Sequence, residues 1–291
     1  MDFGHVWTAM VTPFDSVGNV DFDKTKKLID YLIDHGTETL VIAGTTGESP
    51  TLSEEEKVAL FQFAVKYVNK RASVVAGTGT NNTASSIQLT EKAQLAGVDG
   101  VMLVTPYYNK PSQRGLYEHF STIAASTDLP VMLYNVPGRT SVHLGADTII
   151  ELAKTKNITA VKEASGDLEQ MASIIENTAD DFFVYSGDDS LTLPALSIGA
   201  DGVVSVVSHV AGREMQKMIQ AFIAGNVESA AQIHRSLLPV MKAMFHAPNP
   251  TCVKYALQVI GIDVGGIRLP LVPLTKDEQK FVLSTIQESN L

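Results

Sequence analysis

Lys162 is the residue of this sequence that is best suited to covalent catalysis, because it ends the apolar run Ile158–Lys162. In a β-strand, the side chains of Ile158, Ala160 and Lys162 share one face. If that face is buried, removal from water favours the neutral amine, which attacks carbonyl carbon and forms an imine. Two alternatives stay open: a lysine paired with a carboxylate, and a strand shifted by one residue that turns Lys162 outward.

Other residues suited to acid–base chemistry or to carboxylate binding follow neighbouring strand candidates. Tyr134 ends the run Pro130–Tyr134, and a phenol can donate and accept a proton in turn. Thr45 and Thr46 lie in a glycine-flanked turn whose N–H groups and hydroxyls suit a carboxylate. Arg139 carries a guanidinium, which binds carboxylates in a bidentate way. A core aromatic, a simple turn and a solvated surface arginine are the ordinary alternatives.

Metal, hydrolase and phosphate chemistry fit the pattern poorly. The seven histidines are scattered, and neither H-E-x-x-H, paired His/Cys spacing nor G-x-S-x-G occurs, so we predict no metal site. Asp188 and Asp189 follow the seventh strand candidate, where many barrels bind phosphate, and their charge would repel a phosphorylated substrate. We interpret both as carboxylates that stabilise a helix N-terminus, with a metal pair as the alternative.

Composition disfavours several classes of partner. The formal net charge of −10 over 291 residues would repel phosphate backbones and anionic lipid, so neither nucleic acid nor a membrane is a predicted partner. Cys252 is the only cysteine, which suits a reducing compartment, and we expect it to be a small buried apolar residue. No apolar run is long enough to span a membrane, and residues 1–14 lack a basic secretory-signal segment. We therefore expect a cytoplasmic protein.

Short apolar runs alternate with longer amphipathic ones along most of the chain. The eight strand candidates are Val6–Val11, Thr39–Ala43, Ser73–Ala76, Gly100–Val104, Pro130–Tyr134, Ile158–Lys162, Phe182–Ser186 and Gly202–Val206. Eight βα units predict a closed (β/α)8 TIM barrel of the α/β class over residues 1–224, with the active site at the C-terminal ends of the strands. An open doubly wound sheet is the alternative, although no glycine-rich dinucleotide motif follows the first strand.

Residues 225–291 are expected to form an extension of three helices packed on the barrel. The helix candidates are Glu228–His246, Thr251–Ile260 and Lys276–Glu288. Pro248 and Pro250 separate the first two, because proline cannot donate to the helical hydrogen-bond ladder.

Four segments at the strand ends carry a family resemblance: Gly44–Glu48, Thr105–Tyr108, Tyr134–Thr140 and Val161–Ala164. Each is weak alone, but in this order they resemble the pyruvate-dependent Schiff-base lyase and aldolase superfamily, and within it the dihydrodipicolinate synthase family. The resemblance covers essentially the whole chain, including the helical extension. It implies a lyase of lysine and diaminopimelate biosynthesis that needs no metal or organic cofactor.

The resemblance also implies roles for eight residues. Lys162 would form an imine with pyruvate, while Tyr134, Thr45 and Tyr108 would relay protons. Tyr108 would come from the neighbouring subunit of a tight dimer, and dimers would pair into a homotetramer. Pyruvate and L-aspartate-4-semialdehyde would be held by the remaining four residues, which are Thr46, Arg139, Gly187 and Val204.

Relatives with a different second substrate form the closest alternative. Sialic acid lyases and sugar-acid aldolases share the lysine and tyrosine, but resemble this chain less in the context of Thr45, Tyr108 and Arg139. A non-catalytic barrel that senses a small acid, or a purely structural barrel, would leave the residues at the strand ends without a purpose.

Feedback inhibition by L-lysine is not expected, because the resemblance shows three departures in the effector site. Feedback-inhibited relatives have two histidines and a glutamate there, where this chain has Glu54, Lys57 and Ser85. The ammonium of L-lysine would lose a carboxylate partner and meet a like charge. The other positions of this degenerate site are Ser49, Pro50, Asn81 and Tyr107.

Overall fold

The fold, taken from a computed structural model that describes residues 3–289, is a closed barrel of eight parallel strands in sequence order. The strands are β1 Val6–Ala9, β2 Thr39–Ile42, β3 Ser73–Gly77, β4 Gly100–Val104, β5 Val131–Asn135, β6 Ile158–Glu163, β7 Phe183–Ser186 and β8 Gly202–Ser205. The predicted TIM barrel is confirmed, and the open sheet is wrong because β1 pairs with β8.

Helices surround the barrel and follow the strands. They are α1 Phe22–Asp34, α2 Glu54–Val68, α3 Thr83–Ala96, α4 Gln113–Ala124, α5 Pro137–Thr140, α6 Ala146–Leu152, α7 Leu168–Asn177, α8 Thr192–Ser197 and α9 Ser208–Ile223. The start of α2 is fixed by a reciprocal capping box, in which Ser53 accepts the N–H of Glu56 and the Glu56 carboxylate accepts the N–H of Ser53. Short 3-10 turns at Ser49–Thr51 and Asp189–Leu191 follow β2 and β7.

The apolar core has two layers. Between the sheet and the helices lies the larger one, built from side chains such as Leu40, Leu103 and Phe120. Inside the barrel lies a smaller layer that includes Trp7 and Tyr185, whose ring centres are 4.7 Å apart. This inner layer closes the barrel from below, so only the C-terminal ends of the strands remain for a site.

The chain after α9 forms α10 Val227–Ala243, α11 Thr251–Val259 and α12 Lys276–Glu288. The three predicted helices are present, and the break between α10 and α11 contains both prolines. We propose the division into a barrel, residues 1–224, and a helical extension, residues 225–291, because α10 to α12 follow the helix of the eighth βα unit. The extension packs on the barrel, where α10 contacts α9 and the 3-10 turn after β7. Cys252 is buried in this extension. No helix within residues 3–289 is both long and apolar enough to cross a membrane.

Candidate active site

Lys162 lies inside the barrel near its C-terminal mouth. Its neighbours in the sheet are Tyr134 on β5 and Tyr185 on β7, and the residue is only 5% exposed. The Nζ atom lies 4.2 Å from the ring centre of Tyr134. Because Tyr134 belongs to the inner apolar layer, this contact places Lys162 inside the barrel, and the outward-facing alternative is wrong. Within residues 3–289, no carboxylate oxygen lies within 4.0 Å of this Nζ, so the ion-paired alternative is also wrong.

The acidic residue next in the chain faces away from Lys162. Glu163 is buried on the other face of β6, where its carboxylate accepts hydrogen bonds from Asn135 Nδ2, Ser165 N and Gln170 Nε2 at 2.7 to 3.2 Å. Because these donors satisfy the carboxylate, β6 carries a buried base and a buried acid without pairing them.

A cavity of about 400 Å³ opens above Lys162. Among its lining residues are six that the sequence predicted, namely Thr45, Thr46, Tyr134, Arg139, Lys162 and Gly187. Val204 lies deeper, in the inner apolar layer on β8, and Val206 lines the cavity instead. The remaining candidate, Tyr108, is 88% exposed, with a left-handed φ of 73° that is strained for a residue with a side chain.

The extension also contributes to this cavity, which the sequence pattern did not predict. Met241, Phe245 and Asn249 line it opposite the strands. Asn249 Nδ2 donates to the Thr46 hydroxyl at 2.9 Å, while the buried Asn249 Oδ1 has no hydrogen-bond partner within the described residues. The prolines on either side of Asn249 were a signal of unusual backbone, but they did not indicate which part of the barrel it contacts.

The two aspartates after β7 accept hydrogen bonds from backbone N–H groups. Asp188 accepts the N–H of Ser190, and the buried Asp189 accepts the N–H groups of Val206 and Val207 at 3.0 and 3.2 Å and the Ser205 hydroxyl. Burial raises the pKa of Asp189, while these donors act against that shift. Asp189 therefore occupies N–H groups after β8 that many barrels use for phosphate. Within residues 3–289 no group of three metal-ligating side chains is present.

His209 connects the ends of β1 and β8 behind the cavity. Since a backbone N–H can only donate, the 3.1 Å contact from Val11 N makes Nε2 the acceptor, and Nδ1 donates to the Val206 carbonyl at 2.8 Å. The imidazole is therefore neutral, and burial lowers its pKa to about 4. The same contact ends β1 earlier than predicted, because it takes the N–H of Val11 out of the sheet.

Acidification should destabilise the fold through His209. Its pKa is lowered from 6.5 on folding, so the stability it contributes is present above pH 6.5 and is lost as pH falls through about 4. Between pH 7 and pH 5 we expect the free energy of unfolding to fall by about 2 kcal/mol from this group. Urea unfolding at both pH values measures it. A His209→Asn variant should lose this part of the pH dependence, and an unchanged dependence would contradict the assignment.

A second cavity, of about 290 Å³, lies on the other side of Tyr134. Thr45, Tyr134 and Arg139 line both cavities, and the second also contains four predicted effector-site residues, Ser49, Pro50, Lys57 and Tyr107. Of the other three, Asn81 donates to the Tyr107 carbonyl, Glu54 forms an ion pair with Lys92, and Ser85 lies in the first turn of α3. Burial lowers the pKa of Lys57, and Glu54 partly opposes this shift.

Comparison with known proteins finds a family match along nearly the whole chain. The model of the dihydrodipicolinate synthetase family matches residues 2–289. The 4-hydroxy-tetrahydrodipicolinate synthase of Bacillus subtilis strain 168 is 63% identical over 289 residues, covering 99% of this chain and 100% of its own.

Two solved structures show the same architecture. A crystal structure of dihydrodipicolinate synthase from Bacillus anthracis has a TM-score of 0.98 and 60% identity, covering 99% of this chain and 98% of its own. The enzyme from Cyanidioschyzon merolae with lysine bound has a TM-score of 0.98 and 45% identity, covering 99% of both chains. This chain belongs to the dihydrodipicolinate synthetase family, whose members are Schiff-base lyases.

Proposed function

We propose that this protein condenses pyruvate with L-aspartate-4-semialdehyde, the 4-hydroxy-tetrahydrodipicolinate synthase reaction, in the cytoplasm. The observation that carries the proposal is the buried Lys162 amine, which has no carboxylate partner within the described residues and faces a cavity with Arg139 at its mouth. High identity to synthases over the whole chain supports this second substrate over those of sibling aldolases.

The proposed reaction begins at the Lys162 amine. It attacks C2 of pyruvate, and loss of water gives an imine. A methyl proton then leaves C3 to form the enamine, which attacks the aldehyde carbon of the second substrate and makes the carbon–carbon bond. The amino group of that substrate attacks the imine carbon, closes the ring and releases the Lys162 amine. Tyr134 and Thr45, which line the same cavity, move the protons in this proposal.

Substrate carboxylates are assigned to two sides of the cavity. Thr46 is proposed to hold the pyruvate carboxylate, since its hydroxyl lies at the end of β2 and is fixed by Asn249. Arg139 is proposed to bind the carboxylate of the semialdehyde, because it is exposed at the mouth and suits bidentate binding. Gly187, which lines the cavity, is proposed to contribute a backbone group around the imine.

Tyr108 is proposed to act across a subunit interface. In its own chain it lies in solvent on a strained backbone, as functional residues often do. The second cavity touches Thr45 and Tyr134 and is open to the outside, so a partner subunit's phenol entering it would reach both proposed proton carriers. This geometry supports a tight dimer, and we propose that two such dimers form a homotetramer.

Borohydride trapping with pyruvate tests the proposal. Intact-mass analysis and peptide mapping should find a pyruvate-derived adduct on Lys162, and the same preparation should turn over aspartate semialdehyde. An adduct without turnover would move the assignment to a sibling aldolase acting on sialic acid or a sugar acid. Absence of an adduct would remove Lys162 as the nucleophile.

L-Lysine should inhibit this protein weakly or not at all. The Lys57 side chain lines the effector-site cavity, and within the described residues it forms no ion pair, so it would repel the ammonium of an incoming lysine. We expect half-inhibition to need more than about 1 mM L-lysine, equivalent to binding weaker than about 4 kcal/mol. An inhibition titration measures this. The double variant Lys57→His with Ser85→Glu should become more sensitive, and tight inhibition of the unmodified protein would refute the expectation.

A further inference from the structure

A buried ion pair lies next to the turn that carries Thr45 and Thr46. Glu48 ends this turn with a left-handed φ of 57°, and its carboxylate points into the protein. Lys254 on α11 places its Nζ 2.6 Å from Glu48 Oε1, and the two side chains are 2% and 1% exposed. The pair therefore joins the helical extension to the catalytic face of the barrel without contact with water.

Both members of the pair are held on several sides. Glu48 Oε2 accepts the N–H of Arg268 at 3.0 Å, and Lys254 Nζ donates to the Gly266 carbonyl at 2.8 Å. Lys254 Nζ and the Arg268 guanidinium carbon lie 4.2 and 4.4 Å from the ring centre of Phe14. These contacts leave the Glu48 carboxylate a single position relative to the extension.

The turn itself transmits that position to the two threonines. Glu48 N donates to the Thr45 carbonyl at 3.1 Å, which closes the turn. Asn249, also in the extension, donates to the Thr46 hydroxyl at 2.9 Å. The extension thus contacts the turn at two points. One is the Glu48 carboxylate, and the other is Thr46, which lines the catalytic cavity.

A contribution to the net free energy of folding does not explain why this ion pair is buried here. Removing two charges from water offsets most of their mutual attraction, so buried ion pairs contribute little on balance, although losing one partner is strongly destabilising. Burial lowers the pKa of Lys254 to about 8 even though Glu48 acts in the opposite direction, which shows how strongly the site desolvates the ammonium. What the pair does supply is a fixed direction and distance.

We infer that Glu48 and Lys254 are positioning residues, through which the helical extension holds the Thr45–Thr46 turn in register with Lys162. This inference rests on the proposed function, in which Thr45 moves protons of the pyruvate imine. Lys162 itself lies on β6 and contacts neither member of the pair, so imine formation and proton transfer should respond differently when the pair is broken.

The test compares Lys254→Met, Glu48→Gln and the double variant with the unmodified protein. Borohydride trapping gives the fraction of chains that form the pyruvate imine. Exchange of the pyruvate methyl protons in D2O, followed by NMR and divided by that fraction, reports proton transfer in folded chains alone. Both single variants should still form the imine, and exchange per imine should fall about tenfold to 100-fold, the range expected for a displacement near 1 Å.

The double variant separates positioning from stability. It leaves no buried charge unpaired, so its melting temperature should recover relative to Lys254→Met, while exchange per imine should stay low. Asp263→Asn is the matched control, because the ion pair of Lys24 and Asp263, at 2.9 Å, also joins barrel and extension but does not contact the turn. That variant should exchange normally.

Two results would overturn the inference. One is an exchange rate per imine that stays within about twofold of the unmodified protein in both single variants, because a misplaced group should lower that rate much more. The other is recovery of exchange together with melting temperature in the double variant, which would make the pair purely structural. Exchange needs only pyruvate, so failure of semialdehyde turnover in the unmodified protein would count against the proposed function and not against this inference.

Discussion

A Lys162→Met variant should form no pyruvate imine and should lose synthase turnover by roughly 10⁴-fold or more, as expected for removal of a covalent nucleophile. Methionine is similar in length and apolar, so it fills the same space inside the barrel. Replacing a buried amino group that has no carboxylate partner within residues 3–289 by an apolar side chain should leave the melting temperature unchanged or raise it. Loss of activity would therefore report chemistry rather than unfolding.

The same cavity supplies a control for this experiment. Lys242 on α10 also lines it, but the residue is exposed at the rim and lies on the extension rather than on a strand. Lys242→Met should still be trapped by borohydride with pyruvate, with the adduct on Lys162. If Lys162→Met still formed a pyruvate adduct, or if Lys242→Met formed none, Lys162 would not be the nucleophile.

The barrel could be predicted because its signals are local. Strands covered on both faces are short apolar runs. Period-two alternation grouped Lys162 with Ile158 and Ala160 without showing that their face is the inner one. In the structure Ala160 lies in the inner layer but Ile158 packs in the outer layer, because the pairing of β5 with β6 is irregular there. The predicted strand bounds differ from the observed ones by one or two residues, and at the end of β1 a competing side chain is the reason. β1 ends at Ala9 rather than Val11, since His209, distant in sequence, binds the N–H of Val11.

The contribution of the extension could not be predicted, because its contacts span most of the chain. Asn249 reaches Thr46 over a separation of 203 residues, and nothing in the pattern around either residue specifies the other. The Glu48–Lys254 pair is similar: a glutamate after a Gly-Thr-Thr-Gly turn and a lysine in an amphipathic helix both suggest solvent-exposed charges. Only the closed fold brings these charges together and removes water from them.

Asp189 adds a second physical reason to an expectation that charge alone suggested. The sequence argument against a phosphorylated substrate was charge repulsion at the end of β7. In the structure the carboxylate also binds the N–H groups of Val206 and Val207, so the donors that a phosphate would need are already used. The expectation that this end of the barrel does not bind phosphate therefore rests on hydrogen bonding as well as on charge.

Gly187→Ala should impair imine formation, because the added methyl group meets both Lys162 and the Ala164 side chain after β6. A Cβ built on Gly187 lies 2.5 Å from the Ala164 Cβ, and 3.1 and 3.2 Å from Cε and Cγ of Lys162. The lysine chain can rotate away, but Ala164 is fixed to the backbone after β6, so the strand ends must separate. We expect the rate of imine formation to fall about 100-fold, as for a reacting group displaced by roughly 1 Å, and overpacking to cost about 1–3 kcal/mol.

Gly138→Ala is the matched comparison, because a Cβ there meets no atom within 4 Å. Gly138 directly precedes the cavity-lining Arg139 in α5, and alanine there should favour the helix. Borohydride quenching at successive times after pyruvate addition measures imine formation in each variant. Equal rates in Gly187→Ala and Gly138→Ala would mean that Lys162 tolerates displacement, and that burial of the amine matters more than its exact direction. If imine formation slowed only in Gly187→Ala, the residue after β7 would determine the orientation of Lys162 on β6, because it leaves no space for another side-chain conformation.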